Sequence, residues 1–291
     1  MLFGGKKMSE KQGMKNMLRT LVFDGQVSLT LADTTEIVQT AKKLHKLSPA
    51  ATLVLGKALS AMTFASACLK EEKGEISLSV QCNGGCGGLG ISGNRALRLR
   101  GYIENTSMVS EREIFGQGGA LTIIRDDGYN RPFVGACALP SVGGVDEAFE
   151  EYYRISEQLP TLLRTVVELN AKDECAFAGV AVLQPLPFAS EETLEKVKNV
   201  SLQALLEEVK SAGVENVARS HFSPDVSVWD LREAIYRCNC SKDYLARVLV
   251  PLGEKELRRI VLEDGAVKIH CHYCNSDYEF TGKDVDGIFR K

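Results

Sequence analysis

The sequence predicts an α+β fold: an N-terminal mixed domain of strands and helices, a helical linker and a small C-terminal zinc-binding domain. Three observations carry that expectation. Short runs of strand composition, among them GEISLSVQC and ALTIIRDDG, are separated by Gly-rich or Asp-Gly turns and mixed with helical stretches in no regular βαβ alternation. After Pro185 and Pro187 the texture changes to amphipathic helix. Four of the nine cysteines, Cys238, Cys240, Cys271 and Cys274, gather in the last fifth of the chain.

Taken in order, residues 1–17 are polar, with Met, Gly and Lys at irregular spacing, and read as a disordered leader. TLVFDGQVSLTLAD alternates apolar residues on either side of Asp24-Gly25, a hairpin signal. Asp33 is placed to cap a helix over 34–47, and Ser48-Pro49 opens a second over 50–70 with Pro at its first position. That second helix is apolar nearly all round, which predicts a core position. GEISLSVQC, ALRLRGYIE, ALTIIRDDG and RPFVGACAL read as strands, and VDEAFEEYYRISEQL as an amphipathic helix stopped by Pro160. TLLRTVVELN and CAFAGVAVLQ pair around AKDE, completing a domain over 18–187.

Ser190 is placed to cap EETLEKVKNV. LQALLEEVKSAG then puts Leu202, Leu205, Leu206 and Val209 on one stripe, with Gly213 as its stop. The segment 188–232 therefore reads as a helical linker whose apolar face rests on the first domain. The remaining residues, 233–291, give two short helices and a strand–turn–strand, too little to hold a core without a metal, disulfides or a partner.

Composition narrows the function. With 291 residues and 44% of them apolar, one sizeable core and a satellite domain are affordable in area. The formal net charge of -3 gives no general attraction to phosphate backbones. The start of the chain lacks the apolar core of a secretory signal, and the windows read along the chain fall short of a membrane span. A cytoplasmic location follows as the expectation, and there a cysteine cluster is more often metal-binding or redox-active than a permanent disulfide framework.

Extended Cys238-Asn239-Cys240 points both thiols to one face, and Cys271-x-x-Cys274 at a turn between strands resembles a zinc knuckle, so each pair supplies half a tetrahedron. One structural zinc ion per chain on these four is the expectation. His270 and His272 flank the second pair as possible replacements, though alternation out of a strand explains them more simply. A thioredoxin-like reading is disfavoured, because that C-x-x-C opens a helix within a βαβ unit. Cys68, Cys137 and Cys175 sit in apolar patterns and read as small core residues. Cys82 and Cys86, in QCNGGCGGLG, offer a local disulfide or two metal ligands, but a flexible turn with incidental thiols is the simpler reading. Gly85, Gly87 and Gly90 match G-x-G-x-x-G, yet strand-like sequence follows instead of the helix that would hold a pyrophosphate. No P-loop, H-E-x-x-H or G-x-S-x-G occurs, His45 reads as a surface or packing residue, and nothing assembles an enzyme active site.

CNCS together with HCHYCNSDYEF resembles the C-x-C and C-x-x-C module of the redox-regulated chaperones of the heat shock protein 33 family, and HKLSPAATLVLGKALSA, LRLRGYIEN, YYRISEQLPT and GVAVLQPLP continue the likeness in family order from about residue 18. The resemblance implies an ATP-independent holdase that binds unfolded or misfolded client proteins, not nucleic acid or membranes. It implies inactivity while reduced and zinc-bound, activation by oxidation to disulfides Cys238–Cys240 and Cys271–Cys274, and a homodimer when oxidised. Leu202, Leu205, Leu206 and Val209 are then the expected client-binding stripe. The polar leader, the Cys82/Cys86 pair, SVGGVDEAFEEYY in place of a Gly-Glu-Ile-Ala-Glu-Asp run, and AGVAV in place of a double glycine depart from the family pattern.

Two thiolates on one tetrahedral zinc lie roughly 3.7 Å apart, whereas a disulfide holds its sulfurs at about 2.05 Å, so oxidation must expel the metal. Two rivals remain at this level: a zinc ribbon binding nucleic acid or protein, and a thiol oxidoreductase acting through Cys271 and Cys274. Residues 233–291 carry ten Lys+Arg and ten Asp+Glu, a poor footprint for phosphates.

Overall fold

The computed structural model describes residues 15–112, 114–140 and 142–289. The expected leader lies outside the described residues as far as position 14, but its last part belongs to the fold. Asn16 donates its side-chain amide to the carbonyls of Asp33 (2.9 Å) and Ala234 (3.1 Å), and Met17 is fully buried.

Strands β1 (Met17–Val22) and β2 (Val27–Asp33) form the hairpin around Asp24-Gly25, where three successive residues take positive φ. Helix α1 (Thr35–His45) starts one residue later than the Asp33 cap implies, yet the Asp33 carboxylate still accepts the Thr35 backbone N–H at 2.9 Å. Helix α2 (Pro49–Ala67) has Ser48 as its cap, accepting from Ala51 N at 3.2 Å. Contrary to the sequence reading, α2 is long and apolar enough to cross a membrane by length and composition. Its residues are instead mostly buried, between two sheets.

Strands β3 (Glu75–Cys82), β4 (Gly88–Asn94), β5 (Arg98–Ile103), β6 (Gly119–Asp126) and β7 (Phe133–Ala138) make one sheet in the order β5-β4-β3-β6-β7. The sequence reading runs a turn over QCNGGCGGLG with strand-like sequence after it, so β4 differs from the expectation at its first residues, Gly88 to Gly90, whose glycines give little strand pattern. The structure supplies the reason for one of those glycines: a Cβ at Gly90 would lie 2.7 Å from the Tyr102 ring on β5. The G-x-G-x-x-G match thus leads into a strand, not a helix.

Helix α3 (Val145–Tyr152) continues through a π-helical turn, Tyr153–Glu157, before the chain returns as β8 (Leu162–Leu169) and β9 (Cys175–Pro185). β2 and β9 are covered on both faces. Val180 and Val182 face the α2 core, whereas Leu29, Leu31, Ala181 and Leu183 pack in a second cluster with α4 (Glu191–Lys198) and α5 (Leu202–His221). Leu202, Leu205, Leu206 and Val209 are all buried there. Gly213, with φ 80°, breaks α5 as expected for a stop, but a further helical segment follows it and adds Val214, Val217 and Ala218 to the same cluster.

Beyond the helices the chain returns to the first domain. β10 (Asp230–Arg232) pairs antiparallel with β1, giving the sheet β10-β1-β2-β9-β8, and β11 (Ile235–Tyr236) pairs parallel with β5. Neither strand was legible in the sequence. The last segment holds α6 (Lys242–Leu249), α7 (Glu254–Asp264), the hairpin β12 (Val267–Cys271) and β13 (Ser276–Phe280), and α8 (Gly282–Phe289). Helix α8 was also unread, although Thr281-x-x-Asp284 is a capping signal: the Asp284 carboxylate accepts from Thr281 N at 2.8 Å. Among the described residues, the buried members of this module's own cluster are Leu249, Leu257, Val267, Phe280 and Val285, a small core.

Candidate metal centre

Two short pieces of backbone deliver the four thiols. Cys238 and Cys240 lie in the extended run between β11 and α6, with Ser241 capping α6 by accepting Tyr244 N at 3.1 Å. Cys271 closes β12, and Cys274 sits in the turn to β13, held by Asn275 N donating to Cys271 O at 2.8 Å with Asn275 at φ 53°. The sulfurs of Cys238 and Cys240 are 3.2 Å apart, Cys238 and Cys271 3.8 Å, and Cys240 and Cys274 3.0 Å. All four ligand atoms lie within 4.8 Å of one another, and all nine cysteines are free thiols.

These separations bracket the ~3.7 Å edge of a tetrahedron with metal–sulfur bonds of about 2.3 Å, so the donor set fits one tetrahedral soft cation. The electrostatics agree. Burial opposes ionisation at every one of the four. Only Cys238 falls below the ordinary thiol range, through the Cys240 N–H and neighbouring thiols, while Cys240 is pushed up to about 11 and Cys271 and Cys274 also rise. Four thiolates in half-buried contact need a compensating charge. His270 is not aimed at the sulfurs; its Nδ1 pairs with Asp277 Oδ1 at 2.7 Å, and its ring abuts His272.

The centre also lies where the module docks. The Tyr236 hydroxyl donates to Gly101 O (3.0 Å), accepts from Gly101 N (3.3 Å) and contacts the Tyr273 carbonyl inside the C-x-x-C turn. Arg100 stacks over the Tyr273 ring at 4.7 Å, Tyr102 meets Tyr273 edge-on, and Asn275 donates to Leu44 O. His45, which burial holds below its usual pKa, packs 3.3 Å from the Tyr236 hydroxyl, a packing role as expected. Sequence reasoning missed Tyr236, Arg100, Tyr102 and Tyr273, since nothing in their spacing marks a contact across more than 130 residues of chain, such as Gly101 to Tyr236.

Changing Tyr236 to Phe removes one hydroxyl that serves both sides. The expected result is loss of about 1–3 kcal/mol of docking. Amide exchange at β11 and Gly101 should then quicken while exchange within the hairpin β12–β13 stays at the parent rate. Unchanged exchange at β11 would assign docking to the ring contacts alone.

Comparison with known proteins agrees with this architecture. The family model described as Hsp33 protein matches residues 15–281. The chain belongs to the Hsp33 family. Among Hsp33 relatives, proteins named 33 kDa chaperonin from Acetivibrio thermocellus and Bacillus cytotoxicus are each 30% identical over 283 residues, covering 92% of this chain and 95% and 96% of theirs. The solved Hsp33 homologue of Thermotoga maritima superposes with a TM-score of 0.78 at 26% identity, over 94% of this chain and 98% of that one. This Hsp33 chain is therefore a chaperone-family protein whose four C-terminal cysteines form a cluster able to hold a metal ion.

Proposed function

We propose that this chain is a redox-regulated, ATP-independent holdase of the cytoplasm, silent when reduced and loaded with one zinc ion, and active once Cys238–Cys240 and Cys271–Cys274 are disulfides. The observation that carries the reading is the convergence of four thiols at the point where a module whose own cluster has five buried residues docks on the chaperone domain. A zinc ion bound there supplies a cross-link between the two cysteine pairs that the small core cannot replace.

Cys238, Cys240, Cys271 and Cys274 hold the module closed as thiolates, and Tyr236 carries that closure to Gly101. Each disulfide forms when two thiols give two electrons and two protons to a peroxide, which leaves as two waters. Drawing two sulfurs to about 2.05 Å collapses the tetrahedral donor set and frees the module to unfold. The buried stripe Leu202, Leu205, Leu206 and Val209 is then the surface offered to unfolded clients, or to a second copy in an oxidised homodimer.

The test is light scattering of a thermally unfolding client enzyme. Reduced, metal-loaded protein should leave aggregation unchecked, peroxide with mild heating should suppress it, and dithiothreitol should reverse the effect. Equal suppression by the reduced form would overturn the reading.

Cys68, Cys137 and Cys175 belong to the core or its margin, and burial raises all three thiols, Cys175 to about 12. Each changed singly to Ala should retain the full oxidant response in that assay, with at most a modest stability loss from the missing sulfur. Loss of activation in any one variant would move the switch away from the C-terminal four.

A further inference from the structure

Outside the metal centre, one pair of thiols stands at near-contact distance. Cys82 closes β3 and Cys86 lies in the short connection to β4, and their sulfurs are 3.3 Å apart. The connection is not the loose turn its glycines imply. Cys86 N donates to Ile114 O at 3.1 Å, Asn105 N to Cys86 O at 3.3 Å, the Asn105 side-chain amide to Gly85 O at 2.8 Å and Gly87 N to Gly84 O at 3.1 Å. Cys82 Sγ in turn donates to Gly87 O at 2.8 Å, which aims it across the turn toward Cys86. Among the described residues no third Cys, His, Asp or Glu joins the pair in a metal-sized cluster, so metal binding is not what brings the sulfurs together. Cys82 is half-buried, whereas Cys86 is fully buried.

We propose that Cys82 and Cys86 are a second oxidation site, in the chaperone domain and separate from the metal centre, that closes to an intramolecular disulfide under peroxide. Closing it requires the sulfurs to approach by about 1.2 Å. The reaction runs in two balanced steps. The half-buried Cys82 thiol attacks the peroxide, the O–O bond breaks, and sulfenic acid and one water result. Cys86 Sγ then attacks the Cys82 sulfur, the S–O bond breaks, and the hydroxyl leaves with the Cys86 proton as a second water. Two electrons pass from the sulfurs to the peroxide oxygens. Burial raises the Cys86 thiol to about 12, which disfavours its thiolate and hence its direct oxidation by peroxide; in the second step its proton passes to the departing hydroxyl as the sulfur–sulfur bond forms.

The sequence offers a clean readout, because Lys73 and Arg95 release both cysteines in one tryptic peptide, 74–95, that holds no other cysteine. Full-length, zinc-loaded, reduced protein is treated with hydrogen peroxide without heating, then quenched, alkylated in denaturant, digested and weighed by mass spectrometry. The expected peptide carries neither label and is two hydrogens lighter, and both labels return after dithiothreitol. In a Cys82→Ser variant, whose hydroxyl still reaches Gly87 O, Cys86 should remain fully labelled at the same dose.

Retention of both labels at a dose that has already blocked the four C-terminal thiols would overturn the proposal, as would a peptide heavier by oxygen with no sulfur–sulfur link. Loss of the Cys86 label in Cys82→Ser would overturn the order of attack. If peptide 74–95 closes, and mild heating in peroxide then converts the C-terminal four to disulfides while client aggregation goes unchecked, this site stands and the proposed function falls, so the two are separable.

Discussion

Removing the metal from the reduced protein should unfold residues 237–289 and leave residues 16–185 folded. A structural zinc contributes on the order of 10 kcal/mol to a small module, whereas whole domains are stable by only about 5–15 kcal/mol. Here the module's own cluster consists of Leu249, Leu257, Val267, Phe280 and Val285. Full burial of each contributes about 1.5–3 kcal/mol. That sum is small beside the conformational entropy of ordering some fifty residues at ~1–2 kcal/mol each. The surface ion pairs Arg258–Glu254, Arg259–Glu256 and Arg259–Glu263 add little, since exposed pairs contribute ~0–1 kcal/mol. Metal analysis of the reduced protein should find one zinc per chain. After a thiol reagent and chelator have removed it, hydrogen exchange should show protection lost across 237–289 and kept across the two large sheets. A metal-free protein with the hairpin β12–β13 still protected would mean that the module's core suffices without a metal.

Leu206→Ala should loosen the linker helices by about 2–5 kcal/mol, the usual cost of truncating a fully buried leucine. Leu206 lies in the cluster with Leu29, Leu31 and Ala181, so its loss opens a cavity between α5 and the sheet rather than at an adaptable edge. The predicted consequence is aggregation suppression by the reduced, metal-loaded variant on mild heating, without oxidant. Exchange should quicken across 191–221 while the metal content stays at the parent level. Linker loosening with no gain in suppression would place the client surface elsewhere.

These two results also test how the module and linker communicate. Were the stripe to pack only while the module anchors its far end, module and linker would unfold together. The structure gives the linker further anchors of its own: Asp225 N donates to Leu21 O at 2.8 Å, and Arg232 donates to Arg95 O at 2.7 Å and Ala67 O at 3.2 Å. Loss of the metal should therefore expose the module first, with β10 and the helices following only on heating. Simultaneous loss of protection in both would restore the simpler coupling.

The sequence by itself determined the elements whose signals are local. A Ser-Pro cap and an apolar surround mark α2, Asp24-Gly25 marks its hairpin, a 3.6-residue stripe marks α5, and the C-x-C and C-x-x-C spacings mark the four thiols, because each is a relation among residues a few positions apart. Tertiary structure alone decided the rest. The start of β4 extends back through Gly90 because the Tyr102 ring occupies the space that a side chain there would need. β10 and β11 are strands because β1 and β5 offer unpaired edges, and a three- or two-residue strand has no stability or pattern of its own. Tyr236 acquires its role from Gly101 and Tyr273, and Cys82 and Cys86 become a pair because Ile114 and Asn105 pin the loop between them. Hydrogen bonds and close packing between distant segments depend on where the backbone has already been brought, and no periodicity in the chain encodes that placement.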